Sequence, residues 1–178
     1  MDYQIIRSRR KSIAIEITPR GEIFVRSPLR MTKRDIQQFV ESRQDWILTH
    51  LSKIPSVTPL TSQAHKALIC SAKQILPVKA DHYAGLLGVS YGRITIRSQH
   101  TRWGSCSASG NLSFNCLLML APEEVQNYVV VHELCHRKHM NHSPVFWAEV
   151  ERILPDYPSQ RSWLKEHGAS LLAQLPDV

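Results

Sequence analysis

The chain has 178 residues, 43% apolar and 21% charged, and its 22 Lys/Arg outnumber 15 Asp/Glu to give a net charge of +7. This is ordinary globular usage and excludes a disordered, collagen-like or coiled-coil chain. No apolar run approaches the roughly 18 residues of a membrane span, and Met1-Asp2-Tyr3-Gln4 lacks the basic-then-apolar opening of a signal peptide, so a cytoplasmic protein is expected.

Ser12–Thr18 alternates in the strand manner, with Ile13, Ile15 and Ile17 on one face. Pro19-Arg20-Gly21-Glu22 reads as a turn and Ile23-Phe24-Val25 as a second strand, which makes 11–27 a β-hairpin. Thr32 suits the cap of a helix running to about Ile54, with Ile36, Phe39, Val40, Ile47, Leu48 and Leu51 as its apolar residues. Pro55 to Pro59 is the expected linker, which divides the chain into a basic part, 1–60, and a larger part, 61–178. A helical region over 61–87 is expected to be interrupted by Pro77. Val89–Ser98 reads as a strand, and Leu112–Leu120 as one or two more. Pro122 followed by Glu123 and Glu124 opens a helix that runs to about His139. Ser143 caps another at Pro144 that ends near Leu154, and a last helix covers about 159–173. Hairpin, helices, small sheet, helices is the order of an α+β fold.

The charge is unevenly spread. Residues 1–34 hold nine Lys/Arg against three acids and 65–105 hold six against one, whereas 106–178 hold five against eight. The basic surface suits an anionic partner without choosing among nucleic acid, nucleotide and membrane. Cys70, Cys106, Cys116 and Cys135 form no C-x-x-C pair and are expected to be reduced packing residues.

Chemistry concentrates in His132-Glu133-Leu134-Cys135-His136, an H-E-x-x-H motif. Histidines four apart project from one helix face, and both can reach a single ion at about 2.0–2.1 Å. Glu133 lies about 100° around the helix, where it can take a proton from water without binding the metal. The motif follows Val129-Val130-Val131, and polar side chains in so apolar a helix are costly unless an ion compensates them. A catalytic zinc site needs a third ligand and an open position. His142, beyond the turn at Met140-Asn141, is the first choice. His139 is a rival one turn further along, and Glu149 and Glu151 on the next helix are others. The ligand spacing is also that of metzincins, but His139 stands where they carry Gly, and no Met follows Met140 to make their Met-turn.

The chain resembles the YgjP-like family of metallopeptidases, a neighbour of the SprT-like and WLM groups. The resemblance rests on Thr101-Arg102-Trp103-Gly104-Ser105-Cys106, on Leu112-Ser113-Phe114-Asn115 and Leu120-Ala121-Pro122, on the segment from Tyr128 to His136, and on Asn141-His142-Ser143-Pro144-Val145-Phe146-Trp147. The N-terminal hairpin and the helix around Trp46-Ile47 are similar too. The resemblance implies a zincin-like core, a small sheet packed on the motif helix. It also implies zinc or another divalent ion held by His132, His136 and His142, and a catalytic Glu133.

Other residues carry weaker signals. Arg102 is a candidate contact for a substrate carboxylate or phosphate. Tyr128, one turn before His132, is expected to pack or to support the site through a hydrogen bond. Phe146 and Trp147 read as core. The expected function is zinc-dependent hydrolysis of peptides or proteins. Two alternatives follow from the charge: a metal-dependent phosphohydrolase (pyrophosphatase) acting on nucleoside triphosphates, and a protease weakly associated with nucleic acid.

Overall fold

The computed structural model describes residues 2–18, 21–52, 54 and 57–176. By internal contacts it comprises two units, Met1–Val57 and Thr58–Val178.

The first unit begins with β1 (Gln4–Ser8), β2 (Ala14–Ile17) and β3 (Ile23–Pro28), in the order β1-β3-β2. The expected hairpin is β2–β3, antiparallel, with Ala14 opposite Arg26 and Ile17 opposite Ile23. Its turn closes through Thr18 N to Glu22 O and Gly21 N to Thr18 O, both 2.9 Å, and Gly21 takes φ +86°, which a side chain would oppose. Pro19 and Arg20 of that turn lie outside the described residues, as do Pro55 and Ser56 of the expected linker. β1, absent from the sequence reading, pairs in parallel with β3, Gln4 opposite Phe24.

α1 (Lys33–Glu41) starts where Thr32 accepts a hydrogen bond from Asp35 N, and α2 (Gln44–Leu51) follows. The single helix expected from Thr32 to Ile54 is therefore two. Ser42 Oγ donates to Phe39 O at 2.7 Å, a local alternative to the helical ladder, and Arg43 leaves helical geometry at φ −114°, ψ 13°. Ile23, Val25, Ile36, Val40 and Ile47 form the small core.

The second unit contains α3 (Ser62–Leu87), β4 (Ile94–Arg97), β5 (Gly104–Cys106), β6 (Leu112–Asn115), a 3-10 turn at Cys116–Leu120, α4 (Glu123–Cys135), α5 (Pro144–Ile153) and α6 (Tyr157–Leu172). The interruption expected at Pro77 is not there, and α3 runs through it. Ala72, Leu76, Ala80, Ala84 and Leu87 form one unbroken buried stripe. That stripe, three of its five residues alanine, lies along α4, and its burial offsets the hydrogen bond that Pro77 cannot make.

β6 is the central strand, parallel to β4 and antiparallel to β5, with Gly104 opposite Phe114 and Cys106 opposite Leu112. β5 lies outside the strands expected from the sequence. Buried Asn115 ends β6 and is fully used. Its Nδ2 donates to Gln99 O (2.7 Å) and Arg102 O (3.0 Å), and its Oδ1 accepts from Leu117 N (3.1 Å). The segment carrying Arg102 is thereby tied to the sheet. The α+β class holds, with the motif helix α4 packed against β5, α3, α5 and α6.

Candidate metal centre

α4 is buried nearly all round: Val125, Tyr128–Val131 and Glu133–Cys135 are all interior. Helical spacing puts His132 and His136 one turn apart at its C-terminal end. The helix stops at Cys135, not at the expected His139. Lys138 N and His139 N both return to Cys135 O at 3.0 Å, closing a turn. Beyond it the chain comes back, and His142 reaches the other two histidines just before Pro144 opens α5.

The ligating nitrogens of His132, His136 and His142 lie within 4.8 Å of one another, the cluster among the described residues that could hold a metal ion. His132 Nε2 and His142 Nε2 face each other at 3.0 Å. His136 Nδ1 donates to His139 O at 3.0 Å, which fixes the tautomer and leaves Nε2 free as a ligand. Burial pushes the His132 imidazole down to about 3 and also lowers His136, keeping both neutral, as ligation requires. Three imidazoles walled by Phe146, 4.7–5.0 Å from each ring, fit a borderline divalent ion such as zinc.

The rivals for third ligand are placed elsewhere. His139 contributes its carbonyl instead of its ring. Glu149 is ion-paired to Lys138 and Arg152, which hold its carboxyl down to about 2. Glu151 is exposed.

Glu133, 6% exposed, lies next to the triad. Its seat is created by Gly104 of β5. A Cβ there would stand 2.6 Å from Glu133 Oε1 and 2.7 Å from its Cγ. Burial pushes the carboxyl up to about 8, and the Arg102 charge pulls against that rise. Arg102 is exposed and within electrostatic reach of Glu133. Tyr128 meets His132 edge-on at 5.8 Å and stacks on Tyr157, so its role is packing. Trp147 is more than core: its ring lies 5.7 Å from that of His142 and 5.4 Å from that of Tyr157, stacked on both.

The model of the YgjP-like metallopeptidase domain matches residues 11–69 and 60–167. The chain belongs to the YgjP-like metallopeptidase family. As a member it is a metal-dependent hydrolase, and the family points to peptide substrates. It gives no support to the nucleotide and nucleic-acid partners considered from charge. No curated protein matches the chain. Among solved structures it is similar to the metallopeptidase zymogen abylysin of Pyrococcus abyssi (23% identity, 52% of this chain and 94% of that one, TM-score 0.47). It is also similar to the metallopeptidase zymogen jannalysin of Methanocaldococcus jannaschii (22% identity, 51% and 91%, TM-score 0.44). Among the described residues no helix of this YgjP-like protein is long and apolar enough to cross a membrane.

Two residues beside the triad carried no functional assignment from sequence, Gly104 and Asn115, both in segments that resemble the family.

Proposed function

We propose that this YgjP-like chain is a zinc-dependent peptidase in which His132, His136 and His142 hold the ion and Glu133 is the general base. The reading rests on one observation. A carboxylate that is costly to bury is lodged in the core helix, in space left by Gly104, one residue from the first histidine of the triad.

A divalent ion in this donor set supplies Lewis acidity and lowers the pKa of water bound to it. The protein's own groups do the rest. Glu133 accepts a proton from the attacking water at a carboxylate oxygen. The water oxygen bonds to the peptide carbonyl carbon, the C–N bond breaks, and Glu133 returns the proton to the leaving amine nitrogen. In the metal-free protein burial raises this carboxyl, which favours its return of the proton, and a bound cation beside it would favour the anionic form that accepts one. Arg102, tied in place through Asn115, is positioned to favour the anionic form of Glu133 and to meet an anionic substrate group.

Glu133→Gln tests the assignment. It keeps volume and removes the base, so bound zinc stays near one per chain while cleavage of a peptide library falls at least about 10³-fold. Cleavage by the parent protein stops on chelation and returns with metal. Full activity in Glu133→Gln overturns the base.

A further inference from the structure

α6 turns one face toward the core of its unit. Tyr157 and Leu164 pack there, and Gly168 allows Trp103 to lie 3.4 Å from where a Cβ would stand. Arg161 falls on the same face, four residues after Tyr157 and seven before Gly168. Arg161 itself is an exposed residue. Among the described residues it makes no ion pair or side-chain hydrogen bond, and its guanidinium carbon sits over the Trp147 ring, 4.7 Å from the centroid.

The location of that stack gives it a use. Trp147 lies 5.7 Å from the His142 ring and 5.8 Å from the His132 ring, so Arg161 is one aromatic ring removed from the metal triad. A guanidinium held against an indole by cation–π attraction is oriented in advance, and its N–H donors stay available in the plane of the fork. Arg102, likewise without an ion pair among the described residues, acts on Glu133 in the same unit. Two exposed arginines without an ion pair among the described residues, Arg102 and Arg161, thus lie near the candidate site, Arg161 oriented on an aromatic platform.

We propose that Arg161, held over Trp147, is a substrate-binding residue that receives an oxyanion close to the bond being cleaved, the group being a peptide carboxylate. The choice of a peptide rests on the metallopeptidase reading above; the need for an anion rests on Arg161 alone. The enzyme then prefers peptides bearing a free C-terminal carboxylate or an acidic side chain near the cleavage point over matched neutral ones.

The test measures equilibrium binding to zinc-loaded Glu133→Gln protein, so turnover does not intrude. Matched tetrapeptides are compared, one a free C-terminal acid and one its amide, together with a Glu/Gln pair. The acidic member of at least one pair binds about tenfold or more tighter. Adding Arg161→Gln removes most of that preference and leaves the affinity for neutral peptides within about threefold. Arg161→Lys keeps the charge but loses the fork and restores only part of it. Zinc content and thermal melting of each variant show that the site and fold persist. Inorganic phosphate is included as a competitor. Arg161-dependent competition by phosphate as well as by the acidic peptide assigns the site to oxyanions in general, and competition by the carboxylate alone assigns it to peptides; both sustain the role. No acid preference in either pair, or a preference that survives Arg161→Gln, overturns it. If Glu133→Gln cleaves peptide while the Arg161-dependent preference persists, the base assignment falls and this one stands.

Discussion

α1, of nine residues, and α4, of thirteen, are built on opposite principles. α1 buries Ile36 and Val40, keeps its remaining residues exposed or half-exposed, and is closed at its start by Thr32. Every feature of it lowers the free energy of the fold. α4 is interior on almost every side, yet carries His132 and Glu133 in its last turn. Those groups raise the free energy of the metal-free fold, and the surrounding core of Val130, Val131, Leu134 and Phe146 has to carry them. A helix that gains only from folding is scaffold. A helix that holds unfavourable groups in place has been shaped by something besides stability.

Breaking each helix should therefore have different consequences. The largest effect is expected from His136→Ala, which removes a ligand held in its tautomer by the His139 carbonyl: bound zinc and activity both fall by more than about 10³-fold, read by metal analysis and peptide cleavage. Ile36→Ala should cost about 3 kcal/mol in urea unfolding of the N-terminal unit, with kcat per folded molecule unchanged. Gly104→Ala should lower kcat roughly 10²-fold, because the new Cβ displaces the Glu133 carboxylate, while zinc content stays near that of the parent.

A fourth outcome concerns pH. In the metal-free protein the Glu133 carboxyl titrates near 8 when folded, against an ordinary value of 4.5. Its contribution to stability is full below 4.5 and is lost as pH rises toward 8. Glu133→Gln has no such loss, so its stability relative to the parent should rise by on the order of 2 kcal/mol between pH 5 and pH 8, measured by urea melts without metal. Thr32→Ala, the smallest effect, should cost about 1 kcal/mol and leave activity untouched. If Ile36→Ala changed kcat as strongly as Gly104→Ala, the division between scaffold and working helix would be wrong.

The same contrast governs what could be read without coordinates. Local signals carried through. Thr32 and Ser143 stand at helix starts, the 12–25 alternation became a hairpin, and the i, i+4 histidines came together as their spacing required. What escaped depended on distant partners. β1 carries Ile5 and Ile6 side by side with no alternation, and its pairing with β3 is parallel and non-local. α3 passes Pro77 because an alanine-rich stripe fits α4, a fact about two helices and not about one. Gly104 and Arg161 gain meaning only from Glu133 and Trp147, which lie 29 residues after one and 14 before the other.

The turn after α4 has a consequence for how the centre assembles. His132 and His136 arrive on a rigid helix, while His142 is delivered on a tether of only five intervening residues, Arg137 to Asn141. So short a tether gives the third imidazole a high effective concentration at the other two. The salt link from Lys138 to Glu149 ties the tether back to α5. If the three imidazoles hold an ion, its affinity would depend on the closing of this short loop as well as on the nitrogens themselves.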